Sequence, residues 1–159
     1  MRHSLTLFLL LSAGVTFAQE RAAGHYTYKC RCIGVELDGS QTILAWGQGR
    51  NRFDAVAQAQ KNALNEVLFT GILEGQPGCE KRPLVPELNA RQKHEDYFNK
   101  FFADGGEYKN FISLADERIG QKYHRNKKKA EETKTVEQAV RVLRAELKQK
   151  LIADGILQQ

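Results

Sequence analysis

The stretch that decides the fold is TILAWGQGRNRFDAVAQAQKNALNEVL, residues 42–68, because its hydrophobic period changes partway along. Alternation from Thr42 to Trp46 predicts a strand that stops at Gly47 and Gly49. Beyond the glycines, alanine recurs at every fourth position, which predicts a helix with a face of small side chains. These alanines are Ala55, Ala59 and Ala63. Such a helix can lie close against a sheet.

The predicted helix has signals at both ends. Asn51 is a suitable N-cap, and Asp54 places a negative charge in the first turn. Gly71 predicts the C-terminal end. Upstream, alternation from Tyr26 to Cys32 predicts a first strand, and Asp38-Gly39 predicts a turn. Residues 25–48 are therefore expected to form a β-hairpin.

The remaining elements follow from composition and periodicity. Residues 74–87 hold three prolines and two glycines, typical of an irregular loop. A shorter helix is expected at residues 88–102, where aromatic side chains fill the core. These are Tyr97, Phe98, Phe101 and Phe102.

A second hairpin is predicted over residues 108–142, with strand character at 108–117 and a turn at 127–132. Residues 133–142 fit both a strand and a helix, and we favour the strand. A last helix is expected from about Leu143 to Asp154, ending at Gly155. The chain is thus predicted to be a single α+β domain over residues 19–159. About four antiparallel strands in two hairpins would carry about three helices on one face.

The N-terminus has the pattern of a secretory signal peptide. Residues 1–18 carry a cation at Arg2, an apolar stretch from Leu5 to Leu11 and small residues toward Ala18. We expect cleavage after Ala18, with no transmembrane span in the mature chain. The residues before Cys30 are polar, which argues against lipid attachment. The predicted location is periplasmic or envelope-associated, with an extracellular location also open.

The predicted export favours a disulfide among the three cysteines, because an oxidising compartment permits disulfides. Cys30 and Cys32 lie on one face of the predicted strand and are poorly placed to bond each other. Cys79 is therefore the expected partner of one of them. The alternative is that all three are buried thiols, and a metal site at the C-x-C pair is disfavoured.

The charge is unevenly distributed. The 159 residues carry 24 Lys and Arg against 19 Asp and Glu, a formal net charge of +5. Residues 118–150 hold eleven basic and four acidic side chains, which indicates a surface for an acidic partner, an anionic lipid or an envelope polysaccharide. Only Tyr123 could stack on bases there, so nucleic-acid binding is not expected. The candidate binding residues are Lys122, Arg125, Lys127, Lys128, Lys129 and Lys134.

A second candidate anion site lies where the strand meets the helix. Arg50 and Arg52 flank the predicted N-cap, where backbone N–H groups attract anions. Arg52 stands where a nucleotide-binding turn would need its third glycine, so a nucleotide cofactor is not expected.

Convergent catalytic residues are missing from the sequence pattern. No His-Glu-x-x-His motif or nucleophile elbow is present, and we predict no catalytic residues, no metal and no cofactor. One enzymatic alternative is a Cys79 nucleophile activated by His94, but the disulfide expected at Cys79 competes with it.

The motif Ala45-Trp46-Gly47-Gln48-Gly49 with the following alanine-rich helix resembles domains of small outer-membrane lipoproteins and flagellar-assembly proteins. Residues 62–69, 97–102, 105–108 and 155–157 are similar to uncharacterised secreted proteins of Gram-negative envelopes. The resemblance implies an α+β fold and an envelope setting, and it transfers no catalytic residue.

Three functional hypotheses result. The first is an exported, non-enzymatic envelope module that binds a protein or another envelope component in an adaptor or assembly role. The second is a domain that binds an anionic polymer or lipid through residues 118–150. The third is a small cysteine-dependent hydrolase or transferase.

Overall fold

The computed structural model describes residues 30–113, 122–125 and 134–158, and for 122–125 it describes the backbone alone. The predicted signal peptide and the predicted turn at 127–132 lie outside these ranges. Within these ranges there are six strands: β1 Arg31–Val35, β2 Gln41–Gly49, β3 Glu74–Gly75, β4 Ile112–Ser113, β5 Lys122–Arg125 and β6 Lys134–Val142. The same residues contain four α-helices: α1 Arg52–Asn65, α2 Ala90–Lys93, α3 Glu95–Phe101 and α4 Arg144–Ala153.

All six strands belong to one mixed sheet. Its order runs β3, β1, β2, β6, with β4 and β5 both pairing with β6. The β1–β2 and β2–β6 pairs are antiparallel, whereas β3 pairs with β1 in parallel. The α+β class is therefore confirmed. The sheet differs in detail from the expected four or so antiparallel strands, because β3 forms inside the predicted loop at 74–87 and pairs with β1 in parallel.

The β2–α1 unit is packed through its glycines. A Cβ atom on Gly47 would overlap the Ala55 carbonyl oxygen and the Ala59 backbone nitrogen. A Cβ atom on Gly49 would lie 2.7 Å from the Asp54 carbonyl carbon. Ala55 and Ala59 have no exposed surface. The helix therefore lies directly against the strand, as the small side chains predict.

The ends of α1 agree with their signals. The Asn51 side chain accepts a hydrogen bond from the Asp54 backbone N–H at 2.9 Å, so the predicted N-cap is confirmed. After Asn65 the helix widens into a π-helical turn, Glu66–Thr70. The turn ends at Gly71, whose φ of 80° favours glycine and whose N–H donates to the Glu66 carbonyl at 2.7 Å.

Two other predicted elements differ in their bounds. The helix expected at 88–102 is broken at His94, which joins α2 to α3 with φ −114° and ψ 39°. The strand expected from residue 108 begins at Ile112, because Glu107–Phe111 form a 3-10 turn that buries Tyr108 and Phe111. Residues 134–142 are a strand, so the choice of strand over helix is confirmed.

One hydrophobic core lies on the helix-bearing face of the sheet. Ile43 and Val140, directly opposite each other on β2 and β6, pack in the same cluster as side chains from every α-helix. The predicted aromatic cluster contributes to it, with Phe98 and Phe101 buried and Tyr97 and Phe102 packed against them. The helices thus share a single face.

The cysteine pairing is resolved. Cys32 is bonded to Cys79, with Cα atoms 6.2 Å apart, while Cys30 is a buried free thiol. Burial raises the pKa of the Cys30 thiol to about 12, and the negative charge of Glu66 adds to this effect. The alternative of three free thiols is wrong, since the irregular 74–87 segment brings Cys79 back to β1.

The C-terminal helix is fixed by a polar cluster. The Tyr97 hydroxyl donates to Asp154 Oδ2 at 2.6 Å, and Lys150 Nζ lies 3.1 Å from the same atom and 3.0 Å from Glu107 Oε2. The hydrogen bond from Tyr97, followed by that from Lys150, holds the pKa of Asp154 below its usual value of 3.8.

We expect Asp154→Asn to lower the free energy of unfolding at neutral pH by about 1 kcal/mol or less, because the carboxylate is partly solvated. A lowered carboxyl pKa stabilises the fold above the unfolded-state pKa, and this contribution is lost as the pH falls through the folded-state pKa. Thermal unfolding across the acid range should show the stability curves of the two proteins converging as the pH falls through the lowered pKa of Asp154 and its carboxylate becomes protonated. A stability difference that stays constant into strong acid would contradict this role.

Candidate binding groove

Helix α1 presents a polar flank beside its buried alanine face. Side chains at three- and four-residue spacing share this flank. It borders two adjoining depressions of about 490 and 360 Å³, and both are lined by Gln58 and Lys61. We call the combined surface the α1 groove. It runs from Arg50 and Phe53 at one end, past Gln58 and Lys61, to Asn65 and Arg91 at the other.

Lys61 is at the centre of the groove. Its Nζ lies 2.9 Å from Asp104 Oδ1 and 5.4 Å from the centroid of the Tyr108 ring. The Lys61 side chain is 22% exposed, whereas Asp104 is fully exposed. The bonded Lys61 ammonium lowers the pKa of Asp104 below its usual 3.8. The contacts with Asp104 and Tyr108 therefore hold the Lys61 side chain in place where the two depressions meet.

The second depression is built around Arg91. Its guanidinium carbon lies 5.6 Å from the centroid of the Phe102 ring, and Nη1 donates to Asn65 Oδ1 at 2.7 Å. The Phe102 ring and the Asn65 amide together fix the orientation of the Arg91 guanidinium group. The amide of Asn62, also in this depression, donates to the Trp46 carbonyl at 2.6 Å and so ties α1 to β2.

The first depression holds an exposed aromatic ring. Phe53, in the first turn of α1, is 86% exposed. Arg50 beside it is 95% exposed in its side chain and lies 3.6 Å from Asp54. Lys109 also lines this depression. The groove therefore has four cations, Arg50, Lys61, Lys109 and Arg91, against two carboxylates, Asp54 and Asp104.

Of the two arginines predicted to form an anion site at the start of α1, only one lies in the groove. Arg50 lines the groove, whereas Arg52 is exposed at the start of α1 and does not line either depression. The Asn51 side chain accepts a hydrogen bond from the Asp54 N–H, and the Asn51 carbonyl accepts one from the Ala55 N–H. The anion site predicted from both arginines remains a prediction, and only Arg50 shares the groove.

The basic segment is described only in part. Arg125 pairs with Lys134 in the strand register, and Lys134 pairs with Gly49, which lines the groove. Lys122 lies opposite Glu137. Lys127, Lys128 and Lys129 lie outside the described residues. The register thus places one end of the basic hairpin beside the Gly49 end of the groove.

Of the groove's cations and its exposed ring, sequence reasoning missed four residues: Phe53, Lys61, Lys109 and Arg91. Phe53 had a signal, because it is the one large apolar side chain in the first turn that does not continue the alanine face. Lys61 lies on the same flank, two turns later. No feature of the sequence indicates Arg91, since α2 reaches the groove only through the tertiary fold.

The structure also bears on catalysis. Cys79 has no thiol, because it is bonded to Cys32, so the nucleophile of the cysteine-dependent hypothesis is not present. Within residues 30–113 and 134–158, no three His, Cys, Asp or Glu side chains are grouped so that they could hold a metal ion. None of the described helices is both long and apolar enough to cross a membrane.

Comparison with known proteins gives no further guide to the site. No family model, curated protein or solved structure shows significant similarity to this chain.

Proposed function

We propose that this protein is an exported, non-enzymatic binding module that holds an anionic component of the cell envelope in the α1 groove. The observation that carries the proposal is the juxtaposition of fixed cations, amides and an exposed ring along one flank of a single helix. The signal-peptide pattern and the Cys32–Cys79 disulfide support export, since disulfides persist in oxidising compartments.

The groove has the features of a binding surface rather than of a reaction centre. Lys61 is held by Asp104, and Arg91 is held by Asn65, so both cations are positioned in advance. Positioned charges reduce the entropy lost when a ligand binds. Both depressions lie open along α1, which suits a ligand that extends past the molecule.

The charge of the groove favours an anionic ligand. Four cations outnumber two carboxylates, and each carboxylate pairs with one cation, Asp104 with Lys61 and Asp54 with Arg50, so the groove keeps a net positive charge. The register, in which Lys134 pairs with Gly49 on one side and with Arg125 on the other, supports a basic surface that extends from the groove into the 118–150 segment. An anionic polymer is long enough to engage both, and a protein partner with an acidic segment is the competing occupant.

We expect the double variant Lys61→Gln and Arg91→Gln to weaken binding to isolated cell envelopes by about tenfold or more, because it removes both fixed cations. The measurement is co-sedimentation of the exported protein with envelope fractions over a series of salt concentrations. Wild-type binding should weaken with salt, and the variant should show a shallower salt dependence.

The charge-matched control is Lys81→Gln with Lys100→Gln. Both lysines are exposed and neither lines the groove. Equal loss of binding in the two double variants would show that net charge rather than the groove is responsible. Binding that is indifferent to salt and to both variants would reject an anionic ligand.

A further inference from the structure

We infer that the ligand of the α1 groove is an acidic polysaccharide whose charges are carboxylates, an inference that rests on the function proposed above. Three features of the groove distinguish this ligand from a phosphate polymer and from an acidic peptide: its rings, its amides and its charge density.

The exposed ring provides a stacking surface. Phe53 is 86% exposed, and most of the residues that line its depression are polar or charged. An apolar peptide side chain would need an enclosed apolar pocket, which these depressions do not provide. The carbon-bound hydrogens on one face of a sugar ring can instead pack flat on an aromatic ring while the hydroxyls stay in water.

Side-chain amides follow the ring along the groove. Gln58, Asn62 and Asn65 line it, and Gln48 lies at the Phe53 end. An amide offers both donors and an acceptor. Sugar hydroxyls match this because they both donate and accept hydrogen bonds. Within the groove the Gln58 amide donates to Asn62 Oδ1 at 2.9 Å and Asn65 Oδ1 accepts from Arg91, so a ligand would meet the Gln58 carbonyl and the Asn65 N–H groups. Ionised phosphate oxygens only accept, so the Gln58 carbonyl would face them without a donor.

The mixture of positive and negative charges in the groove suits a ligand whose own negative charges are widely spaced. Lys61 and Arg91 are the two fixed cations, and Asp54 and Asp104 place negative charges beside Arg50 and Lys61 in the first depression. A polymer with a charge on every backbone unit at close spacing would meet these carboxylates. A glycan with one carboxylate per sugar can place its charges at the cations and its hydroxyls at the carboxylates.

The length of the groove sets the size of ligand that would fill it. Phe53 and Asn65 are twelve residues apart on one helix, which corresponds to about 18 Å along the axis. This exceeds a single sugar ring, so oligomers should bind more tightly than a monosaccharide.

The test uses oligogalacturonate and oligo-alginate of defined length as probes, with calorimetric titration of the exported protein. We expect saturable binding that strengthens from monomer to short oligomer. Phe53→Ala should weaken it by about tenfold, and Phe53→Tyr should restore it because the ring is retained. Phe53 is exposed, so these variants should leave the unfolding transition unchanged.

Dextran, polyphosphate and poly-glutamate are the comparison ligands. Binding to polyphosphate or poly-glutamate at least as tightly as to the uronates, without an effect of Phe53→Ala, would overturn the inference. So would failure of every uronate oligomer to bind. Such a result would leave the proposed function intact if envelope binding still depends on Lys61 and Arg91, and would reject both if it does not.

Discussion

Gly47→Ala should lower the free energy of unfolding by roughly 3 kcal/mol, a large part of the stability of a domain this size. The added methyl group would overlap backbone atoms of Ala55 and Ala59, and backbone cannot move aside as the end of a flexible side chain can. Helix α1 would have to shift away from β2. Urea unfolding should show a midpoint lowered by more than about 1 M.

Gly34→Ala is the matched control. Gly34 lies in β1 of the same sheet, and a Cβ atom there would meet nothing within 4 Å. Its stability should stay within about 0.5 kcal/mol of the wild type. Similar losses in both variants would mean that the effect comes from the strand backbone rather than from the contact between α1 and β2.

Reduction of the Cys32–Cys79 bond should remove about 4 kcal/mol of stability, since the bond closes a loop with a sequence separation of 47. The comparison is best made between the oxidised and reduced forms of one Cys30→Ala chain. This variant removes the free thiol that could exchange into the bridge. Urea unfolding of the two forms gives the difference directly.

Cys79→Ser in the same Cys30→Ala background is the control, because its stability should not respond to reductant. Peptide mapping of the wild type should recover Cys32 joined to Cys79 and Cys30 as a free thiol. Recovery of a Cys30–Cys79 bridge, or equal stability of the oxidised and reduced Cys30→Ala chains, would contradict the pairing.

Local signals in the sequence were sufficient for the β2–α1 unit. Alternation, the N-cap Asn51 and the terminal Gly71 each act over a few residues, and all three are found where they were predicted. The strand at residues 134–142 was ambiguous because its valines fit two periods. Pairing with β2 along its whole length, a long-range contact, decides between them.

The misplaced elements depend on tertiary contacts. β3 has two residues and exists because the chain returns beside Arg31 and Cys32, close to the disulfide. The 3-10 turn at Glu107–Phe111 replaces strand where Tyr108 and Phe111 enter the core. Short elements of this kind have little periodicity of their own, so the sequence pattern could not specify them.

The groove was predictable only at one end. Arg50 was identified because it adjoins a helix N-terminus, a local feature. The pairing of Lys61 with Asp104 spans 43 residues, and that of Arg91 with Asn65 spans 26. Neither pair has a sequence signature. Charge counting therefore pointed to the 118–150 segment, where cations are consecutive, and not to a groove whose cations come from separate elements.

The decisive experiment is site-specific photo-crosslinking in cells that export the protein. A photoreactive residue at position 58 lies in the α1 groove, and one at position 100 lies on the exposed side of α3. We expect position 58 to capture anionic envelope material, Lys61→Gln with Arg91→Gln to abolish this capture, and position 100 to capture none. Equal capture from both positions, or capture from position 100 alone, would contradict binding in the groove.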